Sequence, residues 1–454
     1  MSGLNTSLAA ALSGLMADQG ALAATANNVA NVNTPGYSRQ VPELVTRDPI
    51  VQDRLTFGTG VALDRIESIR DPILESQIQH ETQTQGQLNA LVSALSETET
   101  SFTSTAGDIG TAISNFFDSV NQLSTNPADL SLRQNVLTAA GNLASAFNLA
   151  SNRLTSQRTD LDTSVQQAVA QINQLTSQIA KLNQQISSIQ NVGENPGTFI
   201  DQRTRLIDQL STLVDVSVIP TDNTITLTTS TGTPLVCGQQ GFELSTQMDA
   251  AGVHHIYSQG SDVTSGIVSG QLGGLLEARD HQIPDIRSRL DTLASALAIA
   301  VNQVQTSGFD RSGNPGTNLF SPPPASGAVA SLSVVISDPT LLAASSDGNA
   351  GNNANVEALY ALRNQAIVNG ETPTEYYSNI VFSVGSATAN AKAEQSASNL
   401  VFQQLNDQRA SVSGVSLDEE AANIMRYQQA YAASAQVIST INSMMQTVIN
   451  MKNS

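Results

Sequence analysis

The chain has 454 residues, with 39 acidic against 20 basic side chains and a formal net charge of −19. Nucleic acids and anionic membrane surfaces are recognised largely through cationic side chains, so this balance argues against both as partners. The single cysteine, Cys237, excludes an intramolecular disulfide and a multi-cysteine metal site. The first residues lack the basic and apolar blocks of a cleaved signal peptide.

The N-terminal segment is predicted to form an amphipathic helix. Its large apolar residues recur at spacings of three, four and seven, which places them on one face of a helix. The stripe consists of Leu4, Leu8, Leu12, Leu15, Leu22 and Val29. The other positions are mostly small, and Asp18 is the only charged residue between Met1 and Ala26. Such a helix is marginal alone, so we expect its stripe to have a partner.

A second amphipathic helix is predicted at the C-terminus. Ser416 followed by Glu419 has the pattern of a capping box, and the first turn is acidic, as the helix dipole favours. The seam follows steps of three and four and is broken at Asn442. It contains Leu417, Ala421, Ile424, Gln428, Tyr431, Ala435, Ile438, Met445 and Ile449. We expect the two terminal helices to pair, with the N-terminal stripe and Ile424, Tyr431, Ile438, Met445 and Ile449 as the assembly interface.

The middle of the chain is predicted to be a long helical bundle with a small β-rich insertion, which makes the fold mainly α. Its clearest helix follows a heptad pattern at Leu161, Val165, Ala168, Ile172, Leu175, Ile179, Leu182, Ile186 and Ile189. The β-rich segment shows alternating apolar residues between turn signals. We divide the chain into a terminal unit (1–40 with 415–454), a helical domain (41–215, 266–320 and 350–414), a β-rich subdomain (216–265) and a loop-rich segment (321–349) that could belong to that subdomain.

One motif follows the N-terminal helix directly. It reads Asn27-Asn28-Val29-Ala30-Asn31-Val32-Asn33-Thr34-Pro35-Gly36-Tyr37-Ser38-Arg39-Gln40. By local chemistry it ends a helix and turns the chain, because Pro35 and Gly36 suit the central positions of a type II turn. The run resembles the signature of flagellar axial proteins, with Asn27, Asn28, Asn31, Asn33, Thr34, Pro35, Gly36 and Tyr37 as its motif residues. The block Met425-Arg426-Tyr427-Gln428-Gln429-Ala430-Tyr431 is similar to their C-terminal block.

Within that family the chain looks most like the hook-associated members that form the junction between hook and filament. The segments Asp201-Gln202-Arg203 and Gly273-Gly274-Leu275-Leu276-Glu277-Ala278-Arg279-Asp280 are similar to theirs. The resemblance implies a structural subunit in an extracellular tubular assembly of its own copies, which serves motility. It also implies contacts with hook protein and the second junction protein, a cytoplasmic export chaperone, and secretion through the flagellar export apparatus.

The sequence predicts no catalytic residues, cofactor or metal. The pair His254-His255 lies in a strand-like segment, for which a surface or turn role outweighs a metal site. The segment that begins at Asp310 fails the calcium-loop rule, and a turn is the better interpretation. Glu419 and Glu420 are adjacent on a helix and do not face each other, so helix capping explains them.

Two alternatives stay open at this stage. A distal rod or hook subunit of the same axial family would share both chain ends, although a hook subunit should have a mainly β middle. A cytosolic coiled-coil adaptor would explain the heptads but not the Asn-rich run.

Overall fold

The computed structural model describes residues 2–34, 36–52, 55–103, 108–192, 196–221 and 224–452. The prediction of a mainly α fold is confirmed, since 67% of the chain is helical. The described residues form eleven α-helices: α1 Ser2–Ala30, α2 Pro72–Thr103, α3 Ile109–Thr125, α4 Leu130–Asn191, α5 Gly197–Leu213, α6 Gly270–Glu277, α7 Ile283–Ser307, α8 Ala328–Ser331, α9 Ala354–Ala361, α10 Pro373–Ser413 and α11 Leu417–Lys452. A π-helical turn, Ala278–Gln282, joins α6 to α7.

The strands form four small antiparallel sheets. They are β1 Gln40–Thr46, β2 Ile50–Gln52, β3 Leu55–Phe57, β4 Val61–Ser68, β5 Ser217–Pro220, β6 Ile225–Thr228, β7 Pro234–Cys237, β8 Gln240–Gly241, β9 Leu244–Met248, β10 His254–Ser258 and β11 Ser261–Asp262. β1 pairs with β4 and β2 with β3, and we call these four strands the ribbon. The other seven strands form a four-stranded sheet in the order β5-β6-β7-β8 and a three-stranded sheet in the order β11-β10-β9.

The 62-residue helix α4 is the axis of the helical domain, and at 1.5 Å per residue it is roughly 90 Å long. Its N-cap is Asp129, whose carboxylate accepts hydrogen bonds from the backbone of Ser131 and Leu132. Of the nine predicted heptad residues, seven are buried and the other two, Leu175 and Ile189, are half-buried. The stripe therefore faces the core, and α4 packs there against α5, α6 and the strands β7 to β10.

Amide side chains of α4 hold the β-rich residues in place. Asn173 donates to the carbonyl of Leu244 (2.8 Å) and accepts from its N–H (2.9 Å), and Asn183 donates to the carbonyls of Ile225 and Gly238. When a buried Asn side chain bonds to backbone groups, its own polar atoms and those of the strand edge all gain hydrogen-bond partners. These contacts fix the two sheets against the C-terminal half of α4.

The structure differs from the predicted domain division in two places. Residues 41–68 are predicted to belong to the helical domain, but their described part forms the ribbon, because β-branched residues such as Val41, Val45 and Val61 favour strands over a helix. The loop-rich segment 321–349 contacts the helical domain instead of the β-rich sheets, because Val329 and Leu332 are buried in its core against α4 and α7. In this segment Val334 forms an isolated antiparallel bridge with Phe320.

Candidate assembly site at the terminal helices

The two terminal helices pack against each other in antiparallel orientation. At one end, Asn28 of α1 contacts Glu420 of α11. Fourteen residues along each helix, the Ser434 hydroxyl lies 3.3 Å from the position that a Cβ on Gly14 would occupy. The predicted pairing of the chain ends is therefore present in a single chain. Neither helix contributes a side chain to the large core cluster of the helical domain.

The buried face of α1 is made of small and polar residues, not of the predicted leucines. The buried positions are Ser13, Ala17, Ala21, Ala24, Thr25 and Asn28. At 100° per residue this face lies about 150° around the helix from the leucine stripe. Leu4, Leu8, Leu15, Leu22 and Val29 are only half-buried, and Leu12 is exposed.

Close backbone approach explains why small residues occupy the buried face of α1. The ribbon lies along it: the N–H of Val61 donates to the Ser13 hydroxyl (3.2 Å), and Gly60 abuts the backbone of Ala10. A Cβ on Gly20 would collide with the side chain of Leu63. Because α11 and the ribbon both press on this side, the leucine stripe lies on the opposite side of α1.

The seam of α11 is rotated from the predicted one. Ile424, Ile438 and Met445 are half-buried. Tyr431 and Ile449 are exposed, and Ile441, next to the predicted break, is the buried residue. Exposed apolar residues flank Ile441 on the same side of α11, at spacings of three and four. They are Val437, Met444, Val448 and Met451.

The asparagine motif forms a hydrogen-bonded knot at the end of α1, and Asn28 is its centre. The buried Asn28 amide donates to the Gln40 carbonyl and accepts from the Gln40 N–H, both at 2.8 Å, as a neighbouring strand would. It also donates to Glu420 (3.2 Å) and accepts from the Tyr37 hydroxyl (2.8 Å). One side chain thus joins the end of α1, the start of β1 and the start of α11.

The rest of the motif supports this knot. Asn27 donates to Tyr37 and Gln40, and Asn31 donates back to Asn27. Thr34 donates to Asn31, while Asn33 is exposed. The turn follows the prediction in its second half: the N–H of Tyr37 donates to the carbonyl of Thr34, and Gly36 has a φ of +73°, which favours glycine. Pro35 lies outside the described residues.

Arg39 links the knot to the acidic first turn of α11. Its guanidinium forms ion pairs with Glu419 and with Glu420, each at 2.7 Å. Glu420 is 1% exposed, so removal of Arg39 would leave a buried carboxylate without its cation. The prediction that capping explains both glutamates was wrong. Only the Ser416 half of the capping box is seen, with its hydroxyl 3.5 Å from the Glu419 N–H.

The electrostatics of the knot keep Tyr37 a hydrogen-bond donor. Burial, with the nearby carboxylates of Asp201 and Glu420, raises the pKa of Tyr37 to about 12. A phenol with that pKa stays protonated at any physiological pH, so its hydroxyl donates to Asn28 throughout.

An ionic joint ties α5 of the helical domain to Arg70, which follows the ribbon, and to α10. Arg70 pairs with Asp201 of α5, and Arg409 of α10 lies 4.0 Å from Asp208 of α5. Burial raises the pKa of Asp208 to about 6, although the charge of Arg409 opposes this rise. The joint is therefore built from charged groups that burial disfavours, whereas the helical domain has an apolar core.

His254 and Asp310 have structural roles. The Asp162 carboxylate accepts from Arg279 (2.7 Å) and from the His254 N–H (2.9 Å), and it contacts the His254 ring. Burial raises the pKa of Asp162, but the bonds from His254 and the charge of Arg279 hold it below its ordinary value. Asp310 accepts from the N–H groups of Ser312 and Asn314, which makes its segment a turn.

Among the residues that the structure describes, no group of three or more His, Cys, Asp or Glu side chains is arranged to hold a metal ion. No helix in that part of the chain is both long and apolar enough to span a membrane.

Three family models match the chain, in an order that follows its architecture. Residues 8–37 match the flagella basal body rod protein family, and residues 407–451 match the flagellar basal body rod FlgEFG protein C-terminal family. Residues 95–320 match the helical domain of the flagellar hook-associated protein FlgK. The knot and the terminal pair thus lie in segments shared with rod proteins, and the middle is that of hook-associated proteins.

Curated relatives match over almost the whole chain. Flagellar hook-associated protein 1 of Bacillus subtilis (strain 168) is 31% identical over 96% of this chain and 96% of its own length. The protein of that name from Escherichia coli (strain K12) is 26% identical over 97% and 99%. The flagellar hook junction protein FlgK from Burkholderia pseudomallei superposes with a TM-score of 0.68 at 20% identity, covering 74% of this chain and all of that one, which shows a shared fold.

Proposed function

Because the chain belongs to the family of flagellar hook-associated protein 1, we propose that it is a structural subunit of the bacterial flagellum that joins the hook to the filament. The observation that carries the proposal is the terminal pair. It lies outside the core cluster of the helical domain, its two helices are joined by the knot, and it presents apolar side chains on both helices to solvent.

The geometry of the pair supports assembly through the terminal helices. The leucine stripe of α1 points away from its intramolecular partner, so pairing within the chain leaves it available. The small residues on the buried face keep the pair thin, with backbones in close approach. A tube requires heterologous contacts between copies, and an asymmetric helix pair with several unequal apolar faces provides them.

The partners follow from a place at the junction. They are copies of the chain itself, hook protein on one side and the second hook–filament junction protein on the other. A cytoplasmic chaperone would protect the apolar terminal helices before export. Passage through the flagellar export apparatus in an unfolded state suits a chain with one cysteine and no disulfide to break.

The terminal helices are marginal in the free monomer and become fully ordered on assembly. Their buried face is mainly alanine and serine, which removes little apolar area from water, and side-chain burial is the main source of helix stability in proteins.

Alternative roles in the same machine fit less well. The rod-type matches are confined to the chain ends, and the long middle match is to a hook-associated helical domain.

Deletion of the gene followed by electron microscopy tests the proposal. We expect hooks without filaments, with flagellin released into the medium, and restoration of filaments by the wild-type gene. A deletion strain that still carries normal filaments would overturn the assignment. Loss of the hooks themselves would point to the rod or hook alternative.

A further inference from the structure

Two of the contacts that attach the β-rich subdomain to α4 involve an arginine from a third element. Arg203 belongs to α5, and Arg279 belongs to the π-helical turn that follows α6. Both lie in the segments 201–203 and 273–280, whose resemblance to hook-associated proteins the terminal helices do not explain. Arg279 is 0% exposed, and π-helical turns are rare and occur frequently at functional positions. The two arginines therefore call for a specific role.

Arg203 fixes the orientation of the buried Asn183 side chain. The Asn183 amide donates to the carbonyls of Ile225 in β6 (3.2 Å) and of Gly238 in the β7–β8 turn (2.6 Å), and its oxygen accepts from Arg203 (2.9 Å). Burial and the charge of Arg70 lower the pKa of Arg203 to about 10, so it is still a cation at neutral pH. Because a guanidinium only donates, it selects the amide orientation in which the NH2 group faces the sheet.

Arg279 holds the start of β10 together with Asp162 of α4. Asp162 accepts from the N–H of His254 (2.9 Å), and Arg279 donates to the carbonyl of the same residue (2.8 Å). The guanidinium also donates to Asp162 (2.7 Å) and to both oxygens of Asp280 (2.8 Å each). All three of its nitrogens are therefore bonded, and a cation with one nitrogen cannot reproduce that geometry.

Directional bonds are needed to fix the sheets on α4. Both sheets contribute side chains to the core cluster, but apolar burial is non-directional and leaves their orientation open. The three-stranded sheet is bonded to α4 at Asn173 and at Asp162, two points about 16 Å apart at the helical rise. A sheet bonded at two points has one direction, whereas a sheet bonded at one point can pivot about it.

We propose that Arg203 and Arg279 are positioning residues, and that each fixes one β-sheet on the helical domain. Arg203 acts through Asn183 on the four-stranded sheet, and Arg279 acts with Asp162 on the three-stranded sheet. Loss of one arginine loosens its own sheet and leaves the other in place. A merely stabilising role would affect both sheets alike, because they share one core cluster with α4.

Distances between two spin labels on the purified full-length chain test the two sheets separately. One label is attached at Ser145→Cys, an exposed position of α4. The other is attached either at Cys237, which is exposed on β7, or at Met248→Cys in a Cys237→Ser background, where Met248 is 64% exposed on β9. Along α4 the first label lies about 57 Å from Asn183 and about 25 Å from Asp162, which double electron–electron resonance can measure.

The Arg203 variants should change only the Ser145–Cys237 distance. We expect Arg203→Met to widen that distance distribution about twofold, because the Asn183 amide loses a charged partner, and to leave the Ser145–Met248 distribution unchanged. Arg203→Lys should behave as the wild type, since one donor is enough to orient the amide. Rescue by lysine would not be expected if the arginine only filled space.

Arg279→Lys should have the opposite selectivity. Lysine keeps a positive charge beside Asp162 but cannot bond all of the arginine's partners, so the Met248 distance distribution should widen and the Cys237 distribution should not. Arg287→Met, at a half-buried arginine of α7, is the matched control and should change neither distribution.

The selectivity of the effects decides the proposal. Unchanged distributions in folded Arg203→Met and Arg279→Lys proteins would refute it, and so would equal widening of both distributions by either variant. If Arg279→Lys loses its helical circular dichroism signal, Asp162→Asn removes the same ion pair from the α4 side and should widen the Met248 distribution alone; any other result for that variant would contradict the role of Arg279. These measurements on the isolated chain do not depend on the junction function, which the deletion strain tests.

Discussion

Replacement of Asp208 by Asn should stabilise the folded protein, and only above about pH 4. In the unfolded chain the Asp208 pKa is close to 3.8, and burial raises it to about 6 in the folded protein. The folded state therefore binds the proton more tightly, and stability falls as the pH rises from 3.8 to about 6. A shift of two units corresponds to about 3 kcal/mol. Because 29% of the side chain is exposed, solvent screening reduces this cost to about 1–2 kcal/mol.

Urea denaturation at pH 4 and pH 7.5, followed by circular dichroism at 222 nm, measures this difference. Asp208→Asn should raise the free energy of unfolding by about 1–2 kcal/mol at pH 7.5 and leave it nearly unchanged at pH 4. Asp407→Asn, a change at an exposed position of α10, is the matched control and should have no effect at either pH. A destabilised Asp208→Asn protein at pH 7.5 would refute the reasoning, since it would mean that attraction to Arg409 outweighs the cost of burial.

Three further predictions concern the core and the terminal unit. Ile172→Asp should lower the free energy of unfolding by about 5 kcal/mol or more, because it places an unpaired charge in the core. Gln184→Asp, on the exposed face of α4, should lower it by less than about 1 kcal/mol. An unchanged melting temperature for Ile172→Asp would show that the stripe is not buried. Asn28→Ala removes the clamp on the Gln40 backbone, at a cost of about 2–3 kcal/mol, and should reduce the number of filaments counted by electron microscopy at normal secretion levels. Asn33→Ala, at an exposed position of the same motif, should leave that number unchanged, and equal effects of the two would contradict the knot's role. The circular dichroism signal at 222 nm should differ little between the full-length dilute monomer and a chain of residues 41–414. Fully helical ends would contribute 29 residues from α1 and 36 from α11, and we expect a much smaller loss per molecule. Loss of the full signal would show that both helices are ordered before assembly.

The asparagine motif and its partners show how far local patterns extend. Asn27, Asn31 and Gly36 act within one short segment, so their helix-ending role could be predicted from residue chemistry. The pairing of Arg39 with Glu419 and Glu420 spans about 380 residues, and no local pattern encodes it. The available signal was an acidic first turn in a chain with few cations, which is also what a helix N-terminus prefers.

The sequence by itself predicted the long helices, because periodicity and capping are properties of neighbouring residues. It also predicted that the chain ends pair, because each end has an apolar stripe that needs a partner. Only the tertiary structure decided which side of each terminal helix is buried. A leucine stripe predicts burial against one partner, but α1 has two partners, α11 and the ribbon, and both need close backbone approach. Backbones can approach closely only where side chains are small, so Ala17, Ala21 and Ala24 are buried and the leucine stripe lies on the opposite side of α1.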